Sequence, residues 1–111
     1  MTRLFGISTC DTCRKARKVL ENAGLEVVFQ DVRNEPLGEN DISRFLGVFG
    51  EKLINTRSTT WRGLSEDQRQ ASPQSLLTSH PTLMKRPVLA TGEVLTLGWT
   101  HEIAEQHLAA D

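Results

Sequence analysis

Cys10 and Cys13 are the only cysteines in the chain, and they sit where an apolar run gives way to an amphipathic segment. The run is Leu4, Phe5 and Ile7, a short first strand. It is ended by Ser8-Thr9-Cys10-Asp11-Thr12, a cluster that favours a turn and supplies oxygens for a helix N-cap. From Cys13 onward Ala16, Val19, Leu20 and Ala23 recur at helical spacing, Arg14, Arg17, Lys18 and Glu21 fall on the other face, and Gly24 offers a stop. Leu25 to Val32 then holds the β-branched and aromatic run Val27-Val28-Phe29. Strand, helix and strand in so short a stretch predict a right-handed crossover and a parallel pair, with the cysteines at the turn between the first strand and the helix.

The remainder changes character. After Pro36 and Gly38, the residues Ile42, Phe45, Leu46, Phe49 and Leu53 trace one helical stripe, interrupted by Gly47 and Gly50. Asn55 to Gly63 reads as a polar loop carrying Arg57, Trp61 and Arg62. Ser65-Glu66-Asp67-Gln68 fits a capping box and Ser72-Pro73 a further helix start, so residues 37 to about 80 read as a small helical block. Beyond Pro81, Val88-Leu89-Ala90, the turn-like Thr91-Gly92 and Val94-Leu95-Thr96-Leu97 predict a β-hairpin. A last helix over about Thr100 to Ala109 places Ile103, Ala104, His107 and Leu108 on one face.

Size and charge narrow the function classes. A chain of 111 residues suits a single domain with one core. Thirteen Lys and Arg against fourteen Asp and Glu, a net charge of −1, lack the surplus cation that direct nucleic-acid binding requires. No stretch approaches the roughly 20 apolar residues of a membrane span, and Met1-Thr2-Arg3-Leu4-Phe5-Gly6 does not read as a secretory leader. The expectation is a cytoplasmic monomer with no membrane partner. Two cysteines do not complete a zinc site, and His80, His101 and His107 fit no finger spacing, so no metal is expected.

A thiol at a helix N-terminus faces unsatisfied backbone N–H groups and the positive end of the macrodipole, which stabilise a thiolate. A cysteine so placed can be acidic enough to act as a nucleophile at neutral pH. Cys10 has that position. Cys13, one turn on, is placed to attack a mixed disulfide formed at Cys10. Lys15, Arg17 and Lys18 read as the solvated face of the helix, and Arg14, nearest its start, as a candidate to line the site. Trp61 and Trp99 read as packing or wall residues, His101 and His107 as ordinary helix residues, and Arg62 as a solvated loop cation.

The segment Gly6-Ile7-Ser8-Thr9-Cys10-Asp11-Thr12-Cys13-Arg14-Lys15-Ala16-Arg17, with Lys85-Arg86-Pro87-Val88 far downstream, resembles the arsenate reductase family of the glutaredoxin-type ArsC kind. Asn55-Thr56-Arg57-Ser58-Thr59-Thr60-Trp61-Arg62 is similar to the middle motif of its YffB branch, next to the Spx-like members. The resemblance covers nearly the whole chain. It implies an α/β, thioredoxin-like (glutaredoxin-like) sheet with helices, forming one domain over residues 1–111 with the helical block of about 37–80 inserted. It implies Cys10 as nucleophile, Arg57 and Arg86 drawing an oxyanion or thiol adduct toward it, and Pro87 as the cis-proline beside Arg86. Thr9, Asp11, Thr12 and Arg14 would line the substrate with Pro87.

Two departures stand out. Arsenate-reducing members carry a further arginine after the second hairpin strand, where this chain reads Leu97-Gly98-Trp99-Thr100, and Cys13 is a feature of the Spx branch rather than of ArsC or YffB. The implied activity is a thiol-dependent reductase with no bound cofactor. Glutathione would be its co-substrate, glutaredoxin or thioredoxin its protein partner, and a small oxyanion or a disulfide its substrate. The alternative is an Spx-like redox-sensing regulator that binds RNA polymerase.

Overall fold

The computed structural model describes residues 1–110. Along the chain run β1 (Thr2–Gly6), α1 (Asp11–Asn22), β2 (Val27–Asp31), α2 (Glu39–Phe49), α3 (Thr59–Arg62), α4 (Glu66–Arg69), α5 (Pro73–Ser79), β3 (Val88–Thr91), β4 (Val94–Leu97) and α6 (His101–Ala110). Short 3-10 turns occupy Gly50–Leu53 and Pro81–Leu83. The chain forms two compact units, residues 1–31 with residues 86–110, and Val32–Lys85.

The first unit is built on a sheet of order β2-β1-β3-β4. β1 pairs in parallel with β2, Leu4 beside Phe29, and antiparallel with β3, Leu4 beside Leu89. Parallel strands cannot be joined by a tight turn, and α1 supplies the crossover that the sequence pattern requires. Cys13, Ala16 and Leu20 lie at i, i+3 and i+7 of α1, hence on one face, and all three are buried against Leu4, Val27 and Leu89 of the sheet. Each such leucine contributes about 1.5–3 kcal/mol by leaving water. Cys10, Phe29, Trp99 and Ile103 border this core. α1 ends where Gly24 takes φ +97°, a conformation side chains resist.

Two local expectations shift. Thr91 belongs to β3 rather than to the turn, because it pairs with both Thr2 and Val94 and its hydroxyl lies 2.6 Å from that of Thr2; Gly92, at φ +56°, makes the bend. On α6, Leu108 is 39% exposed whereas His107 is completely buried. The ring nitrogens Nδ1 and Nε2 of His107 lie 2.7 Å from the hydroxyls of Thr91 and Thr96, so the histidine closes a buried polar chain beneath the hairpin. Burial holds its pKa below the ordinary imidazole value.

In the second unit α2 buries Ile42 and Phe45 and packs on α5. It stops at Phe49 because Gly50 turns the chain at φ +59°. The segment 55–63 is not wholly loop: Ser58 caps the single turn α3, its hydroxyl accepting from the Trp61 N–H at 3.1 Å. The Ser65–Gln68 capping box forms both its bonds, at 2.8 and 3.1 Å, and Ser72 caps α5 ahead of Pro73. Asn55 and Lys85 each donate a backbone N–H, at 2.7 Å, to the carbonyls of Leu83 and Leu53, and so tie the unit's return leg to its middle. Among the described residues no helix is long and apolar enough to cross a membrane.

Candidate functional site

The turn that carries Cys10 is fastened at both ends. The Cys10 N–H donates to the Ile7 carbonyl at 2.9 Å, and the Cys10 carbonyl accepts the first helical bond of α1 from Arg14 N–H at 3.0 Å. Between them, Ser8 N–H donates to Asp31 Oδ2 at 2.9 Å. Asp31 is buried at the end of β2, beside Gly6 in the parallel register. Cys10 is therefore the N-cap of α1, in extended conformation with ψ 120°.

Its sulfur makes no closed capping bond, yet three groups around it favour the thiolate. Partial burial by itself pushes the Cys10 thiol up. The backbone N–H and thiol of Cys13, together with the Arg86 guanidinium, outweigh that and hold it below its ordinary value. Cys13 goes the other way. Completely buried in the core and facing the charge that Cys10 develops, it is pushed up to about 12, against the pull of the Ile7 N–H and of Arg86. The two thiols are thus pushed apart, Cys10 toward its charged form and Cys13 toward its protonated one, a division of labour in which Cys13 donates a hydrogen bond and Cys10 is the thiol on which charge is favoured.

Arg86 reaches Cys10 from the segment entering β3. The Arg86–Pro87 peptide is cis, Pro87 is buried, and its carbonyl accepts from Gly98 N–H at 2.8 Å. The structure therefore gathers Cys10, Cys13, Arg86 and Pro87 in one place. Thr9, Asp11 and Thr12 are exposed around the turn. Arg14 points to Asp11, with Nη2 and Oδ1 2.5 Å apart on the surface, and is not among the groups acting on the Cys10 sulfur. Lys15 and Lys18 are exposed, and Arg17 lies over the Phe29 ring and toward Glu21, as a solvated face would have it.

Arg57 belongs to the second unit. Its side chain is exposed and its N–H donates to Asn55 Oδ1 at 3.0 Å. Trp61 walls a cavity of about 410 Å³ in that unit, where Arg69 stacks 5.2 Å from its ring and donates twice to its carbonyl. Among the described residues no three His, Cys, Asp or Glu side chains gather where a metal ion could be held. The sequence pattern does not single out two residues that shape the site, Asp31 and Gly6. Asp31 leaves only a weak signal, an acidic residue closing an apolar strand, and Gly6 is indistinguishable in sequence from any glycine flanking a turn.

A mixed sheet with a cysteine capping the helix after its first strand, and a cis-proline leading into the third, defines a thioredoxin-like α/β protein. The chain belongs to the ArsC family, whose model matches residues 5–106. It is similar to the solved YffB protein, at 28% identity with a TM-score of 0.86, over 99% of this chain and 98% of that one. It is also similar to an arsenate reductase (ArsC) related protein from Brucella melitensis, at 37% identity and a TM-score of 0.72, over 96% of this chain and 92% of that one. The global transcriptional regulator Spx of Bacillus subtilis is 28% identical over 92% of this chain and 82% of its own length.

Proposed function

We propose that this protein is a thiol-dependent reductase that turns over through Cys10. The observation that carries the reading is the opposed state of the two thiols: Cys10 held down by Arg86 and by the N–H and S–H of Cys13, Cys13 held up by burial. The Cys10 thiolate attacks one sulfur of a disulfide such as a glutathione mixed disulfide. The substrate S–S bond breaks, a Cys10–sulfur bond forms, and the departing thiolate takes a proton from water. Glutathione attacks the outer sulfur of that mixed disulfide, forming a new disulfide and releasing the Cys10 thiolate. Alternatively Cys13, once it has given up its proton, attacks the Cys10 sulfur, releases the substrate thiolate and leaves a Cys10–Cys13 disulfide that external thiols reduce. With arsenate, two thiols supply the two electrons and end as a disulfide, arsenate becomes arsenite, and one oxygen leaves as water. Arg86 stabilises negative charge on the adduct with a fork that suits oxyanions and carboxylates alike. The same role for Arg57 rests on the family resemblance.

The test is glutathione-coupled turnover of a small mixed disulfide and of arsenate by the wild-type protein and by Cys10→Ser. Turnover of either substrate that disappears in Cys10→Ser is the expected result. Equal rates in both proteins, or none in the wild type, overturn it. The likeness to Spx, together with Cys13, favours a second reading: a redox-switched regulator in which a Cys10–Cys13 disulfide alters a surface that binds RNA polymerase. Capture of RNA polymerase by the oxidised but not the reduced protein, without turnover, would select it.

A further inference from the structure

Gly6 closes β1, where it still pairs with Asp31 of β2 but lies one residue past Phe5, the last partner of β3, and a glycine in a strand calls for a local reason. Conformation is not that reason, since Gly6 is not among the glycines with positive φ. Space is. A Cβ on Gly6 would stand 2.5 Å from the Cys13 sulfur, 3.3 Å from Cys13 Cβ and 3.2 Å from Leu4 Cδ2. The Leu4 methyl can swing aside. The Cys13 sulfur has less freedom, because the residue is completely buried on the inner face of α1, in one core with Leu4, Ala16 and Leu20.

We propose that Gly6 is a positioning residue for the Cys10 thiol: its bare Cα lets the Cys13 sulfur seat against β1, where its S–H faces Cys10. The inference rests on the reading of Cys10 as the nucleophile. A methyl group at position 6 drives the Cys13 sulfur to another rotamer and removes a hydrogen bond from the thiolate, while Arg86 and the helix N-terminus remain. Gly6 touches no substrate and acts only through Cys13.

The test is the pH profile of Cys10 alkylation, read by peptide mass spectrometry, in the wild type, Gly6→Ala, Cys13→Ala and the double variant, with denaturant midpoints of all four. Gly6→Ala is expected to move the Cys10 profile to higher pH, as Cys13→Ala does, and the double variant to move no further than Cys13→Ala alone. In stability, Gly6→Ala is expected to destabilise when Cys13 is present and to be neutral or stabilising once its sulfur is gone, because alanine loses less backbone freedom on folding than glycine. Should Gly6→Ala alone fail to fold, recovery of folding in the double variant supports the inference, and its absence overturns it. Additive shifts in the profile, or a Gly6→Ala profile identical to wild type, overturn it while leaving an acidic Cys10 intact. A wild-type Cys10 that titrates like a free thiol overturns the nucleophile reading, and the inference with it.

Discussion

The Arg86 guanidinium hydrogen-bonds the Cys10 sulfur, and of the groups that favour the thiolate there it alone carries a full charge. The arginine is attached to backbone that is itself tied down, because Pro87 is buried and its carbonyl is bonded to Gly98 N–H at 2.8 Å. Charge and fork can be separated by substitution. Arg86→Met removes both and is expected to slow Cys10 alkylation at pH 7 by roughly threefold to tenfold, since one unit of pKa is a factor of about ten in thiolate. Arg86→Lys keeps the charge and should recover most of the alkylation rate. It should recover less of the turnover, because an ammonium does not make the paired bonds that a planar or tetrahedral adduct accepts. Alkylation at pH 7 and kcat/KM measured on the same two variants check both statements.

Asp31 and Ser8 fix the other side of the turn. The carboxylate at the end of β2 accepts the Ser8 N–H at 2.9 Å, two residues before the nucleophile. Asp31→Ala leaves that N–H without its acceptor and is expected to cost about 1–2 kcal/mol, with a fall in turnover as the turn loosens. Asp31→Asn still offers a carbonyl oxygen and should lose less of both. Denaturant midpoints and turnover of the two variants separate this account from one in which the charge of Asp31 matters, since in that case Asn would be as damaging as Ala.

The position of the nucleophile was legible because three patterns meet there: the apolar run of β1, the helical recurrence of Ala16, Val19, Leu20 and Ala23 after Cys13, of which the structure buries Ala16 and Leu20 with Cys13 and leaves Val19 and Ala23 exposed, and the Val27–Phe29 run of β2. Local chemistry was equally legible where partners are neighbours in sequence, as in the Ser65–Gln68 capping box and the Ser72-Pro73 helix start. The sequence hid whatever is settled by a single contact rather than by a pattern. The direction of Arg14 is decided by the exposed Asp11, and the burial of His107 by hydroxyls on the hairpin. The need for glycine at position 6 is decided by a sulfur on another element. None of these leaves a periodic trace, because each is one contact made after the elements have formed.

His107 is expected to give the folded protein an acid-side weakness. Its ring bridges Thr91 and Thr96 at 2.7 Å on each side, and burial holds its folded pKa below the ordinary 6.5. As pH falls below about 6.5 the unfolded chain binds a proton there that the folded chain refuses. Stability therefore falls with pH, by at most about 1.4 kcal/mol per unit, until the folded-state pKa is passed. His107→Leu should lose this dependence. It should also cost about 2–4 kcal/mol at pH 7, because both hydroxyls lose their shared partner in the interior. Urea midpoints between pH 5 and 8 for the two proteins measure both effects.

Cys13 predicts the opposite edge. Its folded pKa is pushed up to about 12, by burial first, whereas in the unfolded chain it ionises near the ordinary thiol value of about 8.5. Between those values the folded state holds a proton that the unfolded state has released, so stability falls as pH rises above about 8.5, again by at most about 1.4 kcal/mol per unit. Cys10 contributes with the other sign. Its folded pKa is lowered, so below about 8.5 it is the folded state that has released the proton, and stability rises with pH through the window from its folded value upward. The two thiols together place the stability maximum of the site near the ordinary thiol pKa, with Cys10 shaping the rise and Cys13 the fall. Denaturant midpoints from pH 6 to 10 are expected to show the alkaline fall in the wild type and in Cys10→Ser, and to lose it in Cys13→Ala. An alkaline fall that survives in Cys13→Ala would mean that another group releases its proton on unfolding, and that the core does not hold the Cys13 thiol protonated.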